Sequence, residues 1–149
     1  MKKVIVDLST SCLLLIVAGV CLVSADYYDG YPDWAHESHG DGWWAISADV
    51  AAWYSAPRLY WKEEHSAHSW ATWPRWVTDC IITFTGRYHN EIRYQETWEN
   101  YGALSITQTY YNICTVAITY IWAHYINGLD GSWWEDNITV AVVAGASPG

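Results

Sequence analysis

From Trp76 to Val143 apolar and polar residues alternate with a period of two, and this pattern constrains the fold more than any other feature. In WVTDCIITF, residues Trp76, Thr78, Cys80, Ile82 and Phe84 fall on one face. In EIRYQETW, Ile92, Tyr94, Glu96 and Trp98 share a face, while Glu91, Arg93, Gln95 and Thr97 point the other way. ALSITQTYY alternates less cleanly. CTVAITYIWAHY reads as a long apolar strand with Val116, Ile118, Tyr120 and Trp122 on one side. NGLDG is a turn, and SWWEDNITVAVV is the returning strand. The expectation is a mainly β, antiparallel meander with apolar residues on both faces, closing as a barrel or a sandwich. No internal repeat is present.

The first half reads differently. Residues 26–40 are rich in Tyr, Asp, Gly and His and suggest an irregular segment. Trp43, Ile46, Val50 and then Trp53 or Tyr54 recur at helical spacing, with Asp41 placed as an N-cap. This spacing predicts a short N-terminal helix over 42–50. Pro57 ends regular structure before RLYWK, a candidate strand, and residues 63–75 read as a loop.

Residues 1–25 have a basic start, an apolar run and a small-residue end at Val23-Ser24-Ala25, which is the pattern of a secretory leader. The expected division is therefore a leader over 1–25 and one domain over 26–149, secreted to the extracellular space. The domain keeps five basic residues against fifteen acids, a formal charge of −10. Such a chain repels nucleic acid and anionic membranes and attracts cations. Two cysteines remain, Cys80 and Cys114, and in an oxidising compartment they are expected to form one disulfide, with free thiols as the alternative. No CxxC is present, which excludes a zinc ribbon or a thioredoxin-like role.

All twelve Trp and all twelve Tyr lie beyond residue 25, and Phe occurs once. Trp and Tyr carry polar handles, so this bias suggests rings that meet water or a ligand as well as a core. The stretch PDWAHESHGDGWWAISADVAAWY resembles the N-terminal region of the tick salivary lipocalins, the histamine-binding family. The residues that carry the likeness are Asp33-Trp34, Trp43 at a helix start, Asp49 near the helix end, Tyr54 opening a strand, and Trp76 four residues before Cys80. It is clear over residues 31–85 and looser to about residue 140. The resemblance implies an antiparallel lipocalin-like barrel, here expected to be C-terminally short and so incomplete. It also implies a monomer that holds a small cationic amine, histamine or serotonin, without cofactor or turnover.

An amine binder needs carboxylates to neutralise the ammonium and ring faces for cation–π attraction. Glu96, between Tyr94 and Trp98 on one strand face, is the candidate that the residues themselves suggest; the alternatives are a solvated face or an arginine partner. The resemblance adds Asp49, the aromatic–acid pair Trp61 and Glu64, and a loop tryptophan at Trp70 or Trp73. Glu135, beside Trp133 and Trp134, is a looser candidate.

Rival readings have weaker signals. His36 with His39 and His65 with His68 are spaced three apart and could ligate zinc or copper, but without a helical register. No residue pair or motif singles out an enzyme. A carbohydrate-binding module would show a flat row of rings on one strand face, and a host-protein binder would use aromatic loops. Asn137-Ile138-Thr139 is an N-glycosylation sequon in an expected strand.

Overall fold

The computed structural model describes residues 2–5, 33–55, 60–112, 114 and 116–143. Most of the expected leader, the cleavage point after Ala25, residues 26–32 and Pro57 lie outside the described residues. Among the described residues nine strands run in chain order: β1 Lys2–Ile5, β2 Asp33–Gly40, β3 Trp44–Ser55, β4 Tyr60–Ala71, β5 Arg75–Tyr88, β6 Glu91–Asn100, β7 Ser105–Asn112, β8 Val116–Asn127 and β9 Trp133–Val143. They form a five-stranded sheet in the order β1-β6-β5-β8-β9 and a four-stranded sheet in the order β2-β3-β4-β7, antiparallel throughout. The two sheets pack face to face, β3 and β4 over β8 and β5, and β2 beside β9. No hydrogen-bonded ladder joins the sheets among the described residues, so the barrel is not closed. β1 pairs with β6 from Lys2↔Glu99 to Ile5↔Glu96 and belongs to the expected leader; without it β6 is an edge strand.

The core lies between the sheets. β8 turns Ala117, Ile121, Ala123 and Tyr125 inward, and β9 turns in Ile138, Val140 and Val142. Val116, Ile118, Tyr120 and Trp122 do share a face, and it is the outer one. Tyr94, Glu96 and Trp98 of β6 are buried on one face as their spacing predicts, while Ile92 at the strand start is 47 % exposed. At one end of the sandwich the Tyr125 and Trp134 rings stack at 5.4 Å, with Trp44 against both. The Tyr125 hydroxyl there donates to the Ala45 carbonyl across the sheets.

Three expectations from the sequence are corrected. No helix spans 42–50; Trp44–Ser55 is a strand paired on both sides, with β2 and with β4. Its buried face is Ile46, Ala48, Val50 and Ala52, a strict period of two. Alanines on the other face blur that contrast and leave Trp43, Ile46 and Val50 to mimic a helical stripe. Asp41 caps a turn instead of a helix. Its carboxylate accepts the Trp43 N–H at 3.0 Å and pairs with Arg75, while Gly42 takes a positive φ of 89°. Second, Asp33–Gly40 and residues 63–71 are ladder strands rather than irregular chain. The inward residues of β4 are Glu63, His65, Ala67 and Ser69, which give no hydrophobic alternation to read. Third, Trp76 does not share the buried face of Cys80. A register shift between Val77 and Asp79 inverts the alternation, so Val77 is buried and Trp76 is 43 % exposed.

A side-chain bridge also ties the two sheets at their open side. His39 of β2 contacts Asp136 of β9 through Nδ1 at 2.8 Å and Glu37 through Nε2 at 3.0 Å. These carboxylates, Asp136 foremost, raise the His39 pKa above its ordinary value.

β5 and β6 also shift register between Gly86 and Arg87, where Gly86 lies opposite Tyr94. A Cβ at Gly86 would overlap the Tyr94 ring. Gly86→Ala is therefore expected to destabilise the fold by about 1–3 kcal/mol through overpacking. Urea unfolding of the two proteins measures this, and an unchanged midpoint would mean that Tyr94 is free to move.

Candidate functional site

Two places concentrate polar chemistry, one between the sheets and one on the outer face of the four-stranded sheet. The inner one begins on β4. Glu63 and His65 are both 0 % exposed, a costly placement for ionisable groups unless they are hydrogen-bonded. Their partners come from the opposite sheet. The Tyr94 hydroxyl contacts Glu63 Oε2 and lies 2.7 Å from His65 Nε2. His65 Nδ1 is 2.8 Å from Thr119 Oγ1, and that hydroxyl donates to the Asp49 carbonyl at 2.8 Å. Rings fill the remaining space. Tyr94 stacks on Tyr110 at 4.0 Å, and His65 stacks on Phe84 at 4.9 Å. Tyr110 in turn donates to Glu96 Oε2 at 2.9 Å.

Counting protons along this row limits its charge state. Thr119 has one hydroxyl proton and spends it on Asp49, so His65 Nδ1 must be the donor to Thr119. If Glu63 is ionised, Tyr94 donates to it, and His65 must also carry a proton on Nε2. If Glu63 is protonated, it donates to Tyr94, Tyr94 donates to a neutral His65, and every bond is still made. The two arrangements differ by one proton passed through the Tyr94 hydroxyl. Burial selects the neutral one, since it pushes Glu63 up to about 7 and His65 down to about 3. Glu63 Oε1 has no hydrogen-bond partner among the described residues, which again disfavours a carboxylate there.

The cysteines flank this row and are not joined. Cys80 and Cys114 are free, buried thiols. The Cys114 thiol interacts with Glu63 and the Cys80 thiol with Ser69. Those partners are six residues apart on β4, a span of about 20 Å at roughly 3.3 Å per residue, far beyond disulfide reach. The expected Cys80–Cys114 disulfide is thus not formed. Burial raises both thiol pKa values, that of Cys80 to about 11.

The outer place is a groove of about 220 Å³ lined by Trp34, Ala35, Asp49, Val50, Ala51, Glu64, His65, Ser66 and Thr107. The register explains its shape. Trp34 stands opposite Ala51, Ala51 opposite Glu64, Asp49 opposite Ser66, and Ser66 opposite Thr107. Small side chains at 51 and 66 make a floor between taller neighbours. Trp34, 70 % exposed, forms one wall, and the carboxylates of Asp49 and Glu64 enter from the strands beside it. Asp49 Oδ1 meets His36 Nδ1 at 2.5 Å, and Glu64 pairs with Lys62, whose ammonium lies 5.1 Å from the Trp53 ring centre.

The residues singled out from sequence therefore fall into separate places. Asp49 and Glu64 line the outer groove. Tyr94, Glu96 and Trp98 are buried between the sheets, on the other side of the four-stranded layer. Trp73 is 66 % exposed at the corner between β4 and β5, close to neither. Trp61 pairs with Asn112 in the ladder, and its side chain lies outside the described residues. Glu135 is on the outer face of the five-stranded sheet and accepts the Trp122 indole N–H. The histidine pairs are split, because residues three apart on a strand point to opposite faces. His36 meets Asp49, His39 meets Asp136, His65 is interior, and His68 meets Ser47. Trp34 as a wall and the Glu63–His65–Tyr110 cluster are not marked as site residues by the sequence, because the inward residues Glu63, His65 and Ser69 of β4 are polar and give no alternation through 62–70. The chain matches no protein-family model and no curated protein sequence.

The raised Glu63 pKa has a defined consequence for stability. Glu63 alone makes stability fall from pH 4.5 up to about 7, because the folded state keeps a proton that the unfolded chain releases. His65, held neutral down to about 3, makes it rise up to pH 6.5, so the two offset each other between pH 4.5 and 6.5. Each contribution has a slope approaching about 1.4 kcal/mol per pH unit within its own window. Glu63→Gln keeps the shape and removes the Glu63 titration, so its stability should rise with pH across the window through His65 and gain on the wild type. Equal slopes in paired denaturation series would show that Glu63 is ionised in the fold.

Proposed function

We propose that this protein is a secreted, non-enzymatic binder of a small cationic amine, and that the amine is held in the outer groove of the four-stranded sheet. The observation that carries the reading is the meeting of one exposed indole, Trp34, with two carboxylates, Asp49 and Glu64, around a small-residue floor. An indole face attracts a cation that has shed part of its water, and carboxylates give it charge-assisted hydrogen bonds. The volume of about 220 Å³ suits one small molecule. The present partners of the acids, His36 and Lys62, are side chains that an ammonium can replace at the same oxygens. The net charge of −9 favours the approach of a cation.

Supporting the same reading, the sequence resembles the tick salivary lipocalins, whose members capture histamine or serotonin to lower its free level in a host. That likeness extends here to a lipocalin-like character for the open, two-sheet fold and to a leader that directs secretion. The proposed site differs from the inward-facing acids expected of a barrel. The space between the sheets is occupied by Phe84, Tyr94, Trp98 and Tyr110, so Glu96 is paired inside with Tyr110 and left to the core. A second reading, a carbohydrate- or protein-binding module without amine affinity, is favoured by one observation: Trp122, His124 and Trp133 line up on the outer face of the other sheet.

Calorimetric titration with histamine, with serotonin and with a neutral analogue lacking the ammonium separates these readings. The expected result is saturable binding of an amine and none of the neutral analogue. Trp34→Ala and Asp49→Asn should each weaken binding at least about tenfold, roughly 1.4 kcal/mol or more. Glu96→Gln should leave it unchanged. Absence of heat from folded protein with both amines, or binding indifferent to both groove variants, would overturn the proposal.

A further inference from the structure

The outer face of the five-stranded sheet carries an aromatic row that the amine reading does not use. Trp122 and His124 of β8 are followed by Trp133 of β9. Their ring centres are 6.4 and 5.5 Å apart, and successive planes are inclined by only 25° and 34°. The rings therefore form a continuous row of nearly parallel planes. The Trp122 indole is pinned by its N–H donating to Glu135 Oε2 at 3.2 Å. Trp133 is 65 % exposed. Exposed apolar surface of this kind usually has an occupant.

The ladder places the sequon beside that row. Asn137 and Thr139 are two residues apart on a strand, so both face the same way, and both are exposed. Asn137 stands directly opposite Trp122, Thr139 opposite Tyr120, and Glu135 opposite His124. Directly opposed side chains on a sheet are in contact range. A sugar on the Asn137 amide nitrogen would start beside the Trp122 indole, with the rest of the row within its reach.

A second, independent feature points to the same place. Among the described residues β9 hydrogen-bonds to β8 alone and is an edge of its sheet. Its second half, Ile138–Val143, contains no charge and no proline, the features that normally keep an exposed edge from pairing with another chain. A bulky, hydrated group at Asn137 supplies that protection.

We propose that Asn137 is N-glycosylated and that the first sugars of its glycan lie over Trp122, covering the Trp122–His124–Trp133 row and shielding the β9 edge. The proposal rests on the secretory entry included in the reading above, and on nothing in the amine groove, which belongs to the other sheet.

The test uses the full chain, with its own N-terminus, produced in insect cells. Glycopeptide mass spectrometry should find a glycan at Asn137 that peptide N-glycosidase removes, and Asn137→Gln and Thr139→Ala should both abolish it. Oxidation by N-bromosuccinimide is then followed residue by residue, before and after enzymatic deglycosylation. Trp122 and Trp133 should react several-fold more slowly with the glycan in place, while Trp34, on the other sheet, reacts equally in both. An unmodified Asn137, in medium or in retained protein, would overturn the proposal. So would a glycan whose removal leaves Trp122 and Trp133 reacting as before. If added chitobiose protects the two tryptophans equally with and without the glycan, the row takes sugar from solution and the proposal is again overturned. Amine titration of the deglycosylated protein succeeds or fails independently of these outcomes.

Discussion

The hydrogen-bonded row from Glu63 through Tyr94, His65 and Thr119 to the Asp49 carbonyl sets the relation between the two sheets. Buried apolar residues tolerate small shifts, but a buried acid and a buried imidazole do not, because each lost partner leaves a desolvated polar atom costing about 1–3 kcal/mol. Glu63 and His65 belong to the four-stranded sheet, and Tyr94 and Thr119 belong to the five-stranded one. Each bond therefore spans the core. A one-residue slip of β4 would turn Glu64, Ser66 and His68 inward and carry Glu63 and His65 out to solvent. Glu64 would still find the Tyr94 hydroxyl, but Ser66 in place of His65 is too short to bridge Tyr94 and Thr119, and His68 would enter the space of Ala67. The alanines of the inner face, Ala48, Ala52 and Ala67, make room for this row and for the Phe84 and Tyr110 rings beside it.

How legible a strand was followed from what it buries. β6 alternates rings with polar residues, and its buried face could be read directly; β8 also alternates, but its larger apolar set, Val116, Ile118, Tyr120 and Trp122, faces outward. β3 buries Ile46, Ala48, Val50 and Ala52 but carries Ala45, Ala51 and Trp53 on its other face, so the period was ambiguous and a helix was the natural misreading. β4 was illegible for the opposite reason: its buried residues are themselves polar, and only partners from distant segments make that burial tolerable. Trp76 shows a third limit. One register shift in β5 inverts a face, and nothing local in WVTDCIITF marks it.

The site was less legible than the fold. Glu96 stood out as an acid among rings, and it is one, but Tyr110 satisfies it inside the core. Asp49 and Glu64 are fifteen positions apart in sequence, and no local pattern brings them together. They meet because β3 and β4 pair with Ala51 opposite Glu64 and Asp49 opposite Ser66, and because Ala51 and Ser66 are small. The groove is thus a product of register, which the interior row fixes.

That dependence joins the two polar places across a single layer of backbone. His65 contributes to the groove lining from one side and to the buried row from the other. Asp49 offers its carboxylate outward and its carbonyl inward to Thr119. Neutrality of the inner row matters for the same reason. Because burial disfavours charge at Glu63 and at His65, an anion directly beneath the carboxylates of Asp49 and Glu64 is disfavoured as well. The outer face can therefore concentrate negative charge without a like charge across the sheet. An ionised Glu63 would carry a third negative charge into the same small region, neighbouring Glu64 through the backbone. Burial of the row thus serves the groove twice, by holding the register that assembles it and by keeping its underside uncharged.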